Sequence, residues 1–151
     1  MVKVQKIMSA SVPTLKKDAS IEEAARFLGK EGSGCVVITE GKKPIGIVTE
    51  LDILKSVSSG NKNLKSPLSS IMRSPATTMT PSTNLDEALK IVDTRGHDRY
   101  PVVENDEIAG LVTKKDIINS ISDNLKFHRG IQNVVLILFV LFEFFVFIFA
   151  R

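Results

Sequence analysis

A displacement of 64 residues lays one half of the chain over the other without a gap. Ile7-Met8 falls on Ile71-Met72, Thr14 on Thr78, Glu23-Ala24 on Glu87-Ala88, Gly32 on Gly96 and Glu40 on Glu104. The match ends with Gly46-Ile47-Val48-Thr49-Glu50-Leu51-Asp52 against Gly110-Leu111-Val112-Thr113-Lys114-Lys115-Asp116. Self-similarity of this kind marks an internal duplication. Two copies of one small unit, each unable to cover its own sheet, are expected to pack face to face about a pseudo-twofold axis and share a core.

Each copy reads alike. Ser20-Ile21-Glu22-Glu23 and Asn84-Leu85-Asp86-Glu87 are helix-start signatures, a capping side chain followed three residues on by Glu. Ile21, Ala24, Ala25 and Leu28, like Leu85, Ala88, Leu89 and Val92, recur with the period of an amphipathic helix. Gly32 and Gly96 are placed to stop those helices. Two strands follow in each copy: Cys35 to Thr39 and Ile45 to Val48, then Tyr100 to Val103 and Ile108 to Val112. Short first strands are expected at 12–15 and 77–79, and a short second helix after each corner. The predicted fold is α+β: two tandem β-α-β-β-α repeats at 1–60 and 71–123, a linker at 61–70, and a C-terminal hydrophobic helix in 124–151.

The repeated Thr-x-x-Asp places a hydroxyl, a carboxylate and free helix N–H groups at the end of a buried strand. Such a corner suits a polar or anionic ligand group. The same tetrad also fits a helix cap with Asp at its third position, which accounts for the spacing without a ligand.

The Ile-Met openings, the Thr14 and Thr78 strands, His97-Asp98-Arg99-Tyr100-Pro101-Val102-Val103 and the two Gly-x-Val-Thr-x-x-Asp endings together resemble the paired domains named after cystathionine beta-synthase, the CBS pair or Bateman module. The resemblance covers residues 1 to 123. It implies clefts between the repeats that bind an adenosine nucleotide of the AMP, ADP, ATP or S-adenosylmethionine type as a regulatory ligand, with no cofactor required. Asp52 and Asp116 would accept from ribose hydroxyls, Thr49 and Thr113 would face the ribose or first phosphate, and Thr14 and Thr78 would line the adenine pocket. His97, Arg99, Tyr100, Pro101 and Lys114 complete the implied contacts, and a homodimer is implied as well.

The copies differ where phosphate would be read. His97, Arg99, Lys114 and Lys115 align with Ser33, Cys35, Glu50 and Leu51. A guanidinium suits bidentate phosphate contact, whereas Glu50 repels an anion. Unequal sites are therefore expected, the Asp116 corner favouring a phosphorylated ligand; the alternative is that these cations are solvated surface charges.

Composition narrows the remaining classes. The net charge is +3, with both signs interspersed and no basic stripe, so no nucleic-acid partner is expected. The lone Cys35 sits in an apolar run and reads as a small core residue in a reducing cytoplasm. His97 and His128 lie in unrelated contexts, metal-ligand spacing is lacking, and no enzyme is expected.

Six of the eight Phe residues fall between Phe139 and Phe149, and Val134 to Ala150 holds a single polar residue, Glu143. As a helix this stretch would be about 26 Å long, against roughly 30 Å of bilayer hydrocarbon. With Lys126, His128 and Arg129 as a basic flank, a membrane anchor for a cytoplasmic body is the leading expectation. An oligomerisation helix and a non-native extension are its competitors. Two functions are carried forward: a nucleotide sensor acting on an unidentified regulated protein, and a membrane-anchored interaction module with no ligand.

Overall fold

The computed structural model describes residues 2–60 and 63–149, and side chains as far as 141 apart from 124, 125, 128 and 129. It divides into two compact units, 1–117 and 118–151.

In the first unit, repeat one contains β1 (Thr14–Lys16), α1 (Ile21–Glu31), β2 (Cys35–Glu40), β3 (Lys43–Thr49) and α2 (Glu50–Ser58). Repeat two contains α3 (Leu85–Arg95), β4 (Arg99–Glu104), β5 (Glu107–Thr113) and the start of α4 (Lys114–Phe149). Ser20 Oγ accepts from the Glu23 amide at 3.1 Å and Asn84 Oδ1 from the Glu87 amide at 2.9 Å. Gly32 and Gly96 close α1 and α3 in the left-handed conformation, as a helix-stopping glycine should. The hairpins match in register and in their bulge, between Ile38 and Thr39 in one and Val102 and Val103 in the other. Asn105 and Asp106 both take positive φ in the two-residue turn of the second hairpin, the conformation such turns favour.

Alternation along β2 and β3 serves two cores. Val36, Ile38 and Val48 face α1 with Ile21, Ala24, Leu28 and Leu68. Cys35, Val37 and Ile47 face the other way and meet Leu111 of β5. Ile47 and Leu111 are equivalent positions, so their meeting is what a twofold relation between the repeats requires. Burial on both faces explains why β2 is an unbroken apolar run.

Neither repeat is completed by its own leading segment. The amides of Val4 and Gln5 donate to Thr83 and Pro81, and Leu85 donates to Val2, so residues 2–5 cover the start of α3 in repeat two. Leu68 and Ser69 donate to Ala19 and Lys17, and Ile21 donates to Ser66, the same three bonds moved along by 64 residues. Ser9 and Leu111 exchange both backbone bonds, as do Arg73 and Ile47. Val4 and Leu68 are fully buried where they cross.

Two expectations need correction. The first strand of repeat two is not a strand: Met79 makes one isolated parallel bridge to Val102. Pro101 stands where repeat one has Val37, whose amide donates to Pro13 at 2.8 Å, and proline has no N–H to repeat that bond. The second helix of repeat two is not short. Gly60, which follows α2 at φ 91°, aligns with Asn124, so α4 meets no glycine stop there and runs through Phe149.

In the second unit, Val134 to Leu141 are each more than half exposed. Among the described residues no helix is long and apolar enough to cross a membrane, so the expected anchor finds no support. The side chains of His128, Arg129, Glu143 and the Phe residues from 142 on, and Ala150 altogether, lie outside the described residues.

Candidate functional site

Both Thr-x-x-Asp corners are reciprocal helix caps. Asp52 Oδ2 accepts from the Thr49 amide at 2.8 Å and its hydroxyl at 2.6 Å, while Thr49 Oγ1 accepts from the Asp52 amide at 3.3 Å. Thr113 and Asp116 repeat the arrangement at 2.9, 2.6 and 3.1 Å. The cap reading of the motif therefore holds at both places. Capping still leaves Asp52 Oδ1 without a hydrogen-bond partner among the described residues, because every contact of the carboxylate falls on Oδ2.

A cavity of about 300 Å³ opens in front of the first corner, lined by Thr49, Glu50, Leu51, Asp52 and Lys55 from repeat one. Its other wall is Arg73 with the loop Gly96 to Arg99 that joins α3 to β4. That loop is held by Tyr100, whose hydroxyl bonds both the amide and the carbonyl of His97. Asp98 anchors it further by accepting from the Lys114 amide at 2.9 Å. The Arg99 guanidinium packs against Gly34, where an added Cβ would come within 2.2 Å of its Nη2. A side chain at position 34 would expel the guanidinium.

Arg73 ties the two walls. Its Nη2 is 3.4 Å from Asp52 Oδ2, and its Nη1 donates to His97 Nδ1 at 3.1 Å. Because a guanidinium only donates, His97 carries its proton on Nε2 in this arrangement. Arg73 Nε is buried with no acceptor. Lys55, Arg73 and Arg99 are set against Glu50, Asp52 and Asp98, so the cleft is dipolar rather than uniformly basic.

The structure thus reassigns the cations. His97 and Arg99 stand at the Asp52 corner, not the Asp116 corner, because the loop before β4 faces the corner of the other repeat. A second cavity, of about 530 Å³, holds Thr14 with Ser9, Ser11, Phe27, Ser33 and Leu111, and Glu31 is its one charged lining residue. Ser9 and Ser33 there are the equivalents of Arg73 and His97. Thr113 and Asp116 line neither cavity, the Lys114 side chain is exposed, and Thr78 is exposed. Tyr100 and Pro101 are core residues that support the loop rather than face the cleft.

Arg73, Lys55 and Gly34 are absent from the sequence-based set. The only signal for Arg73 was its alignment with Ser9, a charge where the other copy has a small hydroxyl. Among the described residues no cluster of three or more His, Cys, Asp or Glu could hold a metal ion. Burial pushes the Cys35 thiol up to about 11, against the opposing pull of the Arg99 and Arg73 charges.

Two α+β repeats that share an inter-repeat core, with a strand-to-helix corner of one set against a loop of the other, define a paired-domain fold. The chain belongs to the CBS domain family, whose model matches residues 4–59 and again 68–123. The CBS domain pair of protein MJ0100, solved with 5-methylthioadenosine and S-adenosyl-L-methionine, superposes with a TM-score of 0.73 at 25% identity, covering 82% of this chain and 98% of that one. The CBS-domain containing protein ATU1752 from Agrobacterium tumefaciens superposes at 0.72 with 27% identity, over 79% of this chain and 98% of that one. In sequence, the inosine-5'-monophosphate dehydrogenase of Nitrosopumilus maritimus is 33% identical over 116 residues, which are 76% of this chain and 23% of the dehydrogenase. The chain spans 74% of the length of one curated relative but 32% and 23% of two others.

Proposed function

We propose that this CBS pair is a non-catalytic sensor that binds an adenosine nucleotide between its repeats and passes occupancy to a partner protein. One observation carries the reading: the Asp52 cleft joins a carboxylate corner of repeat one to a guanidinium-bearing loop of repeat two. A carboxylate oxygen accepts from ribose hydroxyls, and Arg73 and Arg99 offer forks for a phosphate. The adenosine ligands in the MJ0100 pair support the same class of compound. Thr14 and the second cavity form the other site of this reading. A ligand that touches both repeats favours one arrangement of them, by no more than its differential affinity for the two.

The chain acts in the cytoplasm as a homodimer in this reading. Helix α2 buries none of its residues and exposes Leu51, Leu54 and Val57, an apolar surface suited to a second copy. A second function, an interaction module with no ligand, is favoured by the reciprocal caps, which account for Thr49, Asp52, Thr113 and Asp116 alone.

Calorimetric titration of the full chain with AMP, ADP, ATP and S-adenosylmethionine separates the two. The sensor reading expects saturable heat in wild type that Asp52→Ala removes from the first cleft, while Asp116→Ala, at a corner that lines neither cavity, leaves that cleft's heat in place. No heat with any of the four leaves the caps as the whole role of the corners.

A further inference from the structure

Along α4, Ile131, Val134, Leu138 and Leu141 recur at spacings of three and four, and in the sequence Phe145 and Ile148 continue the series. A helix brings residues so spaced onto one stripe, the two inward positions of a seven-residue repeat. The four with described side chains are 49–60% exposed. Val135 and Ile137, which flank the stripe on either side, are apolar and more than half exposed as well. Polar residues keep away from it. Arg129, Gln132, Asn133 and Glu143 are the polar residues between 129 and 149, and by register each falls on one of the three rows opposite the stripe. Arg129 and Glu143 share the outermost row with Leu136.

We propose that α4 gathers more than two copies of this chain into a helical bundle through the stripe at 131–148. The occupant of the exposed face is the same face of other copies. Hydrocarbon covers every side of a helix alike and gives polar residues no reason to share one side. A bundle does, because its inner face is dry and its outer face wet. The stripe also starts among polar residues, with Ile131 set between Arg129 and Gln132-Asn133, and a bundle continues through such a stretch unchanged. Its length, about 27 Å as a helix, gives five turns of contact. The width of the apolar face sets the number of copies. A two-stranded coil keeps charged residues beside its seam, whereas apolar residues on both flanks are the pattern of a helix with neighbours on two sides. The apolar surface on α2 belongs to the first unit, so the stripe is a separate contact from the one that pairs copies there.

Sedimentation equilibrium of the full chain in detergent-free buffer tests this in wild type, in Leu138→Lys on the stripe and in Leu136→Lys on the opposite row, with thermal melts to verify folding. Wild type is expected to sediment as more than two copies. Leu138→Lys should fall to two copies or one, because a lysine in a dry seam has no partner for its charge. Leu136→Lys should keep the wild-type mass, since its row faces water. Val134→Lys is the second stripe variant and decides the matter if Leu138→Lys does not fold. Wild type of two copies or fewer overturns the proposal. Equal dissociation in Leu136→Lys and the stripe variants overturns it as well, because that outcome marks unspecific apolar collapse. Flotation with phosphatidylcholine vesicles reads lipid as the occupant: wild type that stays in solution only with the vesicles overturns the proposal too.

Discussion

The hydroxyl of Tyr100 closes a two-bond ring with the backbone of His97, accepting from its amide at 3.1 Å and donating to its carbonyl at 2.8 Å. Tyr100 is fully buried, and that burial raises the pKa of its phenol. The ring fixes the loop that brings His97 and Arg99 to the Asp52 cleft. Tyr100→Phe leaves both backbone groups of His97 without this partner and is expected to cost about 1–3 kcal/mol of stability. Denaturant unfolding measures the loss. Nucleotide affinity should fall with it, because the loop loses its support.

Gly46 and Gly110 are where the leading segments cross the sheets most closely. An added Cβ at 110 would lie 2.7 Å from Met8 Sδ and 2.9 Å from the Ser9 carbonyl; at 46 it would meet Met72 Sδ at 2.8 Å and the Arg73 carbonyl at 3.0 Å. The methionine can give way, but the carbonyl is held in a backbone pair. Gly110→Ala and Gly46→Ala are each expected to destabilise by about 1–3 kcal/mol through overpacking. A melt that matches wild type for both would contradict the close approach.

The two caps should be separable from any ligand. Thr49→Ala and Thr113→Ala remove the hydroxyl that accepts from the Asp amide, a change worth about 1 kcal/mol at a helix start. Thr→Ser retains the hydroxyl and should recover most of it. If Thr49→Ala lowers nucleotide affinity while Thr49→Ser restores stability and affinity together, cap and site share one side chain.

Cys35 offers a chemical readout of the inter-repeat core. A thiol raised from 9.0 to about 11 carries roughly 100-fold less thiolate near neutral pH, and Cys35 is fully buried as well. Alkylation should be slow in the native chain and fast in denaturant. The sign for stability follows: the folded state holds this proton more tightly than the unfolded state. Its contribution is complete below pH 9 and is lost as pH rises toward 11. Cys35→Ala should remove that alkaline slope, which titration of stability against pH would reveal.

Glu40 works in the opposite direction at the surface. Its hydrogen bond to Lys17, reinforced by the lysine's charge, holds its carboxyl below the ordinary range. The contribution is present above the unfolded pKa and fades as pH falls through the folded one. Both side chains are more than half exposed, so salt should screen the effect. Glu40→Gln is expected to flatten the acid limb slightly at low ionic strength and to do nothing at high salt.

Periodicity, caps and turns are local, and the sequence displays them openly: Ser20 and Asn84 at helix starts, Gly32 and Gly96 at helix ends, and two hairpins with one register. The repeat itself predicts that equivalent residues such as Ile47 and Leu111 meet. Relations between copies are less visible. Nothing in the spacing of His97 and Arg99 says that their loop faces Asp52 rather than Asp116, since that depends on how two sheets oppose one another. Arg73 lies next to no recognisable motif residue except Met72, and its reach to Asp52 exists only after the chain has crossed. The missing first strand of repeat two was legible in principle, because Pro101 occupies the place of Val37 and removes a donor.

The crossed leading segments have a consequence for how such a chain could arise. Residues 2–9 finish repeat two and residues 66–73 finish repeat one through matching bonds. A single copy of the repeat could satisfy the same bonds only by lending its leader to a second chain and borrowing one back, which is a domain-swapped dimer. Joining two copies in tandem turns that exchange into an intramolecular event at a fixed effective concentration. Partial duplicates are then of little use: a half-chain would expose Val4 or Leu68 together with the groove meant to receive the other. The pair is the smallest piece of this sequence that can close on itself.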